Sequence, residues 1–159
     1  MEADPNPRLL VDRTAGKLAR WLRVLGLDVE YAATCEPAII TRLARQSGRR
    51  VVTRNLVLAE RLGPGALLLK SEHLARQLRQ VVAQVGADKC ATFSRCNACN
   101  VRLVGVPKAS VKGRVPAYVY VNHKVFSACP VCGRYYWQGT HWQHMLTVVK
   151  AAMEDKGDG

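Results

Sequence analysis

Six cysteines stand in this chain, and four of them form two Cys-x-x-Cys pairs, Cys96 with Cys99 and Cys129 with Cys132, separated by 29 residues. A two-residue turn aims both sulfurs of a pair at one point, and four thiolates fill a tetrahedral shell. The spacing therefore predicts one structural zinc ion with no coordination position left open for catalysis. Gly133, after the second pair, relaxes the backbone there. Disulfides are the competing use of such pairs, but they belong to oxidising compartments, and nothing in the sequence points to one. Cys35 and Cys90 are left over and read as ordinary small core or loop residues.

A second kind of chemistry needs oxygen ligands. Metal-assisted hydrolysis of a phosphodiester requires several carboxylates converging on magnesium or manganese, because hard cations prefer oxygen and must activate water and neutralise developing charge. The candidates are Asp12, followed by Arg13 and Lys17, then Glu36, and Asn55, whose amide offers a neutral oxygen. Two carboxylates and one amide are a sparse set for two metals. A single aspartate at a strand end is also common as a loop or cap residue.

Those residues need a frame to bring them together. Arg8 to Asp12 reads as a buried strand, and Thr14 to Leu25 as a helix with Leu18, Leu22 and Leu25 at helical spacing and Gly26 as its stop. Asp28 to Ala32 is a second strand, about Pro37 to Gln46 a helix, Arg50 to Thr53 a third strand, and Leu56 to Leu62 a short helix. Ala66 to Leu69 is a fourth strand, and Ser71 to Val85 a helix with Ser71 as its cap. Strands alternating with helices call for right-handed crossovers, hence an α/β sandwich with a mostly parallel sheet. In such a sheet the functional end is the carboxyl end of the strands, where Asp12, Thr34 to Glu36, and Arg54 with Asn55 fall. After Gly86 the pattern changes, with Ala117 to Val121 as an alternating strand and a last helix from roughly Trp142 to Met153. The expected domains are an α/β domain over residues 8–88 and a zinc ribbon with a C-terminal helix over 89–153, with fraying from Lys156 onward.

Charge narrows the function classes. The chain carries 24 basic and 12 acidic residues, a formal net charge of +12, and the segment from Cys96 to Lys150 holds 7 basic residues and no acid. A basic protein can carry such charge for solubility alone. Clustering over an acid-free segment favours a polyanion partner, above all nucleic acid. No apolar run reaches membrane-spanning length, and the acidic, proline-bearing start is unlike a secretory signal, so a soluble intracellular protein, cytoplasmic in setting, is expected. Tyr135, Tyr136, Trp137 and Trp142 cluster beside the second cysteine pair, as a small domain's core or as stacking platforms for single-stranded nucleic acid. His141 and His144 read as packing or RNA-facing residues, since four thiolates already complete a metal site.

Four stretches carry a family resemblance: Leu10 to Gly26 (Leu-Val-Asp-Arg-Thr-Ala-Gly-Lys-Leu-Ala-Arg-Trp-Leu-Arg-Val-Leu-Gly), Gly48 to Asn55 (Gly-Arg-Arg-Val-Val-Thr-Arg-Asn), Ser94 to Asn100, and Cys129 to His141. In this order they resemble the Mut-seven C-terminal RNase family, over residues from about Arg8 to Met145. The resemblance implies a PIN-like nuclease domain, a small three-layer sandwich, with a zinc ribbon appended. It also implies acidic residues at strand ends that hold a divalent metal and cleave RNA. Asp12 matches the family's first acid, Glu36 falls where an aspartate is usual, and Asn55 replaces the aspartate that ends the Thr-Arg-Asp motif.

Three readings follow. The first is a ribonuclease dependent on magnesium or manganese, with Asp12, Glu36 and Asn55 at its centre and Arg13, Lys17, Arg20 and Arg54 positioning phosphates of single-stranded RNA. The second is a binding module that keeps the basic site and has lost hydrolysis. The third is an adaptor whose ribbon docks a protein. The sequence leaves the oligomeric state open.

Overall fold

A computed structural model describes residues 7–154, so the acidic start and the fraying expected from Lys156 lie outside the described residues. The chain divides into two compact units, the first ending at Asn100 and the second beginning at Val101. The division at residues 88 and 89 read from the sequence follows motifs rather than packing.

The first unit is built on four parallel strands: β1 (Arg8–Val11), β2 (Asp28–Tyr31), β3 (Arg50–Thr53) and β4 (Ala66–Leu68), in the order β2-β1-β3-β4. Four helices alternate with them: α1 (Gly16–Val24), α2 (Pro37–Ser47), α3 (Leu56–Leu62) and α4 (Leu74–Val85). The start and stop residues act as their chemistry dictates. Pro37 opens α2, where its missing N–H costs nothing, and Gly48 closes it at φ 66°, a left-handed conformation that suits glycine. Leu10 and Val51 join Ile40, Ala44 and Leu58 in one apolar cluster, so α2 and α3 cover one face of the sheet. Helix α1 packs on β1, β2 and α4, which places α1 and α4 on the other face. The chain thus steps from β1 out to β2, then returns across β1 to β3. That reversal puts the topological switch point between β1 and β3, the place where open α/β sheets bind ligands.

Two helix starts differ from expectation: α1 begins at Gly16 rather than Thr14, after a 3-10 turn over Arg13–Ala15, and α4 begins later than Ser71. Helix α4 begins at Leu74 with His73 as its cap residue, and the Ser71 hydroxyl accepts a hydrogen bond from the His73 N–H (3.0 Å) in the turn before it.

The second unit is a small antiparallel sheet of β5 (Val104–Val106), β6 (Phe126–Ala128) and β7 (Tyr135–Tyr136), with helices α5 (Ala117–Asn122) and α6 (Thr140–Glu154). Val111, Val119 and Phe126 form its core, with Val106, Val115, Tyr120, Tyr135 and Trp137 packed around them. The segment expected as a strand is therefore helix α5. The Pro116 carbonyl accepts from the N–H groups of Val119 (3.0 Å) and Tyr120 (3.1 Å), which nucleates the turn. Only Val119 of the apolar run is buried, at 2 % exposure, while Val121 is 73 % exposed. A strand would have turned those two side chains to the same face. Tyr135 and Trp137 belong to this core, and the Trp137 ring lies 6.4 Å from that of Phe126.

Candidate functional site

At the switch point Asp12 directly follows β1 and caps the 3-10 turn Arg13–Ala15. Its side chain is fully buried, at 0 % exposure, yet its carboxylate is well supplied with donors. Oδ1 accepts from the Thr14 N–H (3.0 Å) and the Thr14 hydroxyl, and Oδ2 accepts from the Thr53 hydroxyl. Each threonine passes the connection onward. Thr14 Oγ1 accepts from the Arg54 N–H (2.9 Å) and Thr53 Oγ1 from the Asn55 N–H (3.0 Å). Asn55 in turn caps α3, its Oδ1 accepting from the Leu58 N–H at 3.3 Å. Asp12, Thr14, Thr53, Arg54 and Asn55 are thus one hydrogen-bonded unit, in which Asp12 is the central acceptor. The two threonines escaped the sequence reading. Their signal was available in the hydroxyl residues that flank a strand-end aspartate, two positions after it and at the end of the neighbouring strand.

The other sequence-derived residues surround this unit without joining it. Glu36 is exposed at the start of α2, where it makes no side-chain cap, and its N–H donates to the Thr34 hydroxyl (3.1 Å). The Arg13 N–H donates to the Thr34 carbonyl (3.1 Å), which ties the loop after β2 to the end of β1. Arg13, Lys17, Arg20 and Arg54 are all exposed, so four cations are presented from the segments bordering Asp12. The donor set fits a two-metal centre poorly. Asp12 is buried with both oxygens occupied, the Asn55 oxygen is engaged in capping, and among the described residues no group of three acidic or histidine side chains gathers here.

The cysteines present a different picture. The sulfurs of Cys96, Cys99, Cys129 and Cys132 all lie within 4.8 Å of one another. Tetrahedral thiolates on zinc stand about 3.8 Å apart, given metal–sulfur bonds near 2.3 Å, so the cluster is consistent with a structural zinc. In the second pair the Cys129 sulfur accepts from the N–H groups of Val131 and Cys132, both at 3.4 Å, the turn geometry that gathers two sulfurs. The first pair is held against the parallel sheet by arginine and asparagine. Arg23 on α1 donates to the carbonyls of Asn97 (3.1 Å), Ala98 (3.2 Å) and Val29 (2.9 Å). Burial lowers the pKa of that guanidinium, while the neighbouring Cys96 and Cys99 thiolates favour its charged form. Arg95 donates to the Gly26 and Asn100 carbonyls. Asn100, at φ 67°, accepts from the Val29 N–H (2.9 Å) and donates to Asp28 (2.7 Å), and so occupies a backbone donor on the edge strand. Burial opposes ionisation of Asp28, but hydrogen bonds from Arg49 and Asn100 and the charges of Arg49 and Arg95 outweigh it and hold its carboxyl below the ordinary value.

Cys35 is exposed in the loop before α2, and burial pushes the Cys90 thiol up. His141 and His144 are exposed on α6. Among the described residues no helix is long and apolar enough to cross a membrane.

Comparison with curated proteins and with solved structures finds no match. The Mut7-C RNAse domain family, however, matches residues 7–149, which takes in the Asp12 unit, both cysteine pairs and nearly all of the fold described above. A match over that length makes this chain a member of the Mut7-C RNAse domain family.

Proposed function

We propose that this chain is an RNA-binding member of its ribonuclease family, with RNA drawn to the carboxyl ends of β1 and β3 and a structural zinc on the four cysteines. The observation that carries the reading is the pairing of an exposed cation set, Arg13, Lys17, Arg20 and Arg54, with the family's RNA chemistry. Guanidinium and ammonium groups hold phosphates and fix register on a strand without reading its sequence. The buried, fully bonded Asp12 acts within this reading by fixing the backbone of Arg54 through Thr14 and that of Asn55 through Thr53.

Cleavage is the second reading, favoured by family membership and by the retention of Asp12 at the switch point. It would assign Asp12, Glu36 and Asn55 to a magnesium or manganese ion. The substitution of an amide for an acid at Asn55, and the occupied oxygens of Asp12, favour binding without cutting.

One experiment separates the two. Full-length protein, with zinc stoichiometry checked by elemental analysis at one ion per chain, is incubated with labelled single-stranded RNA in magnesium or manganese. The binding reading expects a shifted but intact RNA, and cleavage emerging in Asn55→Asp. Degradation by the wild type that disappears in Asp12→Asn establishes the enzyme instead. Absence of any RNA binding removes both readings.

A further inference from the structure

Tyr31 ends the edge strand β2, level with Val11 and therefore one residue short of Asp12 on the neighbouring strand. Its side chain is large and aromatic, but it is 43 % exposed rather than packed into the core. The hydroxyl end of the ring rests on the start of α1. A side-chain carbon placed at Gly16 would meet the Tyr31 hydroxyl at 3.4 Å and its ring carbons at 3.5 Å. Gly16 opens α1 and carries no side chain. At this position it leaves the ring a bare stretch of backbone to lie on.

The residues beside that contact are cationic. Positions three and four apart share a helical face, so Gly16 and Arg20 lie in one stripe, with Lys17 beside it and Arg13 in the turn just before. All three cations are exposed. An accessible aromatic ring between cations is the combination that holds single-stranded nucleic acid, since every base offers a π-face and every linkage a phosphate. A duplex hides its base faces and would gain only the phosphate contacts.

We propose that Tyr31 is the base-stacking residue of this site, seating an unpaired RNA base on its ring while Arg13, Lys17 and Arg20 hold the adjoining phosphates. The inference rests on the RNA-binding reading and sharpens it to single-stranded substrate. A protein segment could also cover an exposed tyrosine, but a ring resting on a helix start that carries Arg13, Lys17 and Arg20 suits phosphates better than a peptide of ordinary charge.

The test measures the full-length protein by fluorescence anisotropy against single-stranded oligouridylate, oligoadenylate and an RNA duplex. Tyr31→Ala and Tyr31→Leu should each weaken single-strand binding about tenfold, within the usual range for loss of one base stack, and leave duplex binding unchanged. Tyr31→Phe and Tyr31→Trp should keep wild-type affinity. The leucine variant keeps a large apolar side chain at the end of the edge strand, so it guards against a folding defect in the alanine variant. A photoactivatable 4-thiouridine strand should crosslink to Tyr31 in the wild type. If Tyr31→Leu binds as tightly as the wild type, or single-strand and duplex affinity fall together, or the crosslink maps elsewhere, the stacking role is overturned while RNA binding stands. If the wild type binds no RNA, the broader reading fails and takes Tyr31 with it.

Discussion

Asp12 shows how a residue's type and its surroundings can point in different directions. Read from its position, it is the acid expected at the end of a central strand. Read from its contacts, it is a buried acceptor that joins β1 to the β3–α3 turn, with both oxygens occupied by Thr14 and Thr53. A buried hydrogen bond to a charged group contributes roughly 1.5–3 kcal/mol, and a donor left without its partner costs a comparable amount. Asp12→Ala removes one carboxylate and strands two hydroxyls and an N–H. We expect it to lower stability by about 3 kcal/mol in urea unfolding, against about 1 kcal/mol for Asp12→Asn, which keeps an acceptor toward Thr14. Thr53→Val should fall between them, because it removes one bond to Asp12 and one acceptor for Asn55. A flat response to all three would mean that the network contributes little. Activity or binding assays on Asp12 variants are interpretable only after the folded fraction has been measured.

The elements of the first unit were legible because each carries its own punctuation. Pro37 and Gly48 bracket α2, Gly26 ends α1 after a regular leucine stripe, and short apolar runs between such signals become strands. The strand order could not be read this way. It depends on which faces α1 and α2 cover, a property of tertiary packing. The cysteine pairs were legible too, because metal geometry fixes their spacing locally. The rest of the ribbon was not, since its strands are two or three residues long and too short to show a period. Ala117 to Val121 misled for a related reason. Four of its five side chains are large and apolar or aromatic, so alternation and helical spacing look alike. The two geometries make opposite predictions for Val119 and Val121. On α5 they point different ways, so Val119→Ala should destabilise the ribbon by about 1–2 kcal/mol while Val121→Ala stays within about 0.5 kcal/mol. As a strand, the two would share a face and behave alike. Urea unfolding of the zinc-loaded protein, followed by tryptophan fluorescence in a Trp21→Phe, Trp142→Phe background that leaves Trp137 as the reporter, distinguishes the cases.

For the molecule as a whole the governing quantity is charge. The formal net charge of +12 would fall by two, to +10, with four thiolates (−4) holding one zinc ion (+2). A protein so cationic will meet any polyanion, so affinity for RNA by itself says little about a site. Its salt dependence says more. Each phosphate neutralised on a single strand lowers the slope of log affinity against log salt by about 0.7. If Arg13, Lys17, Arg20 and Arg54 each hold one phosphate, the slope is about −3, and raising salt from roughly 50 to 200 mM weakens binding about 50-fold. Lys17→Gln should make the slope shallower by about 0.7. Tyr31→Leu should lower affinity at every salt concentration and leave the slope alone, because a base stack releases no counterions. A slope much steeper than −3 would mean that ribbon cations such as Lys112, Arg114 and Lys124 engage the same strand. A slope near zero would mean that the exposed cations touch no phosphate, and the partner of this surface would then have to be sought among proteins.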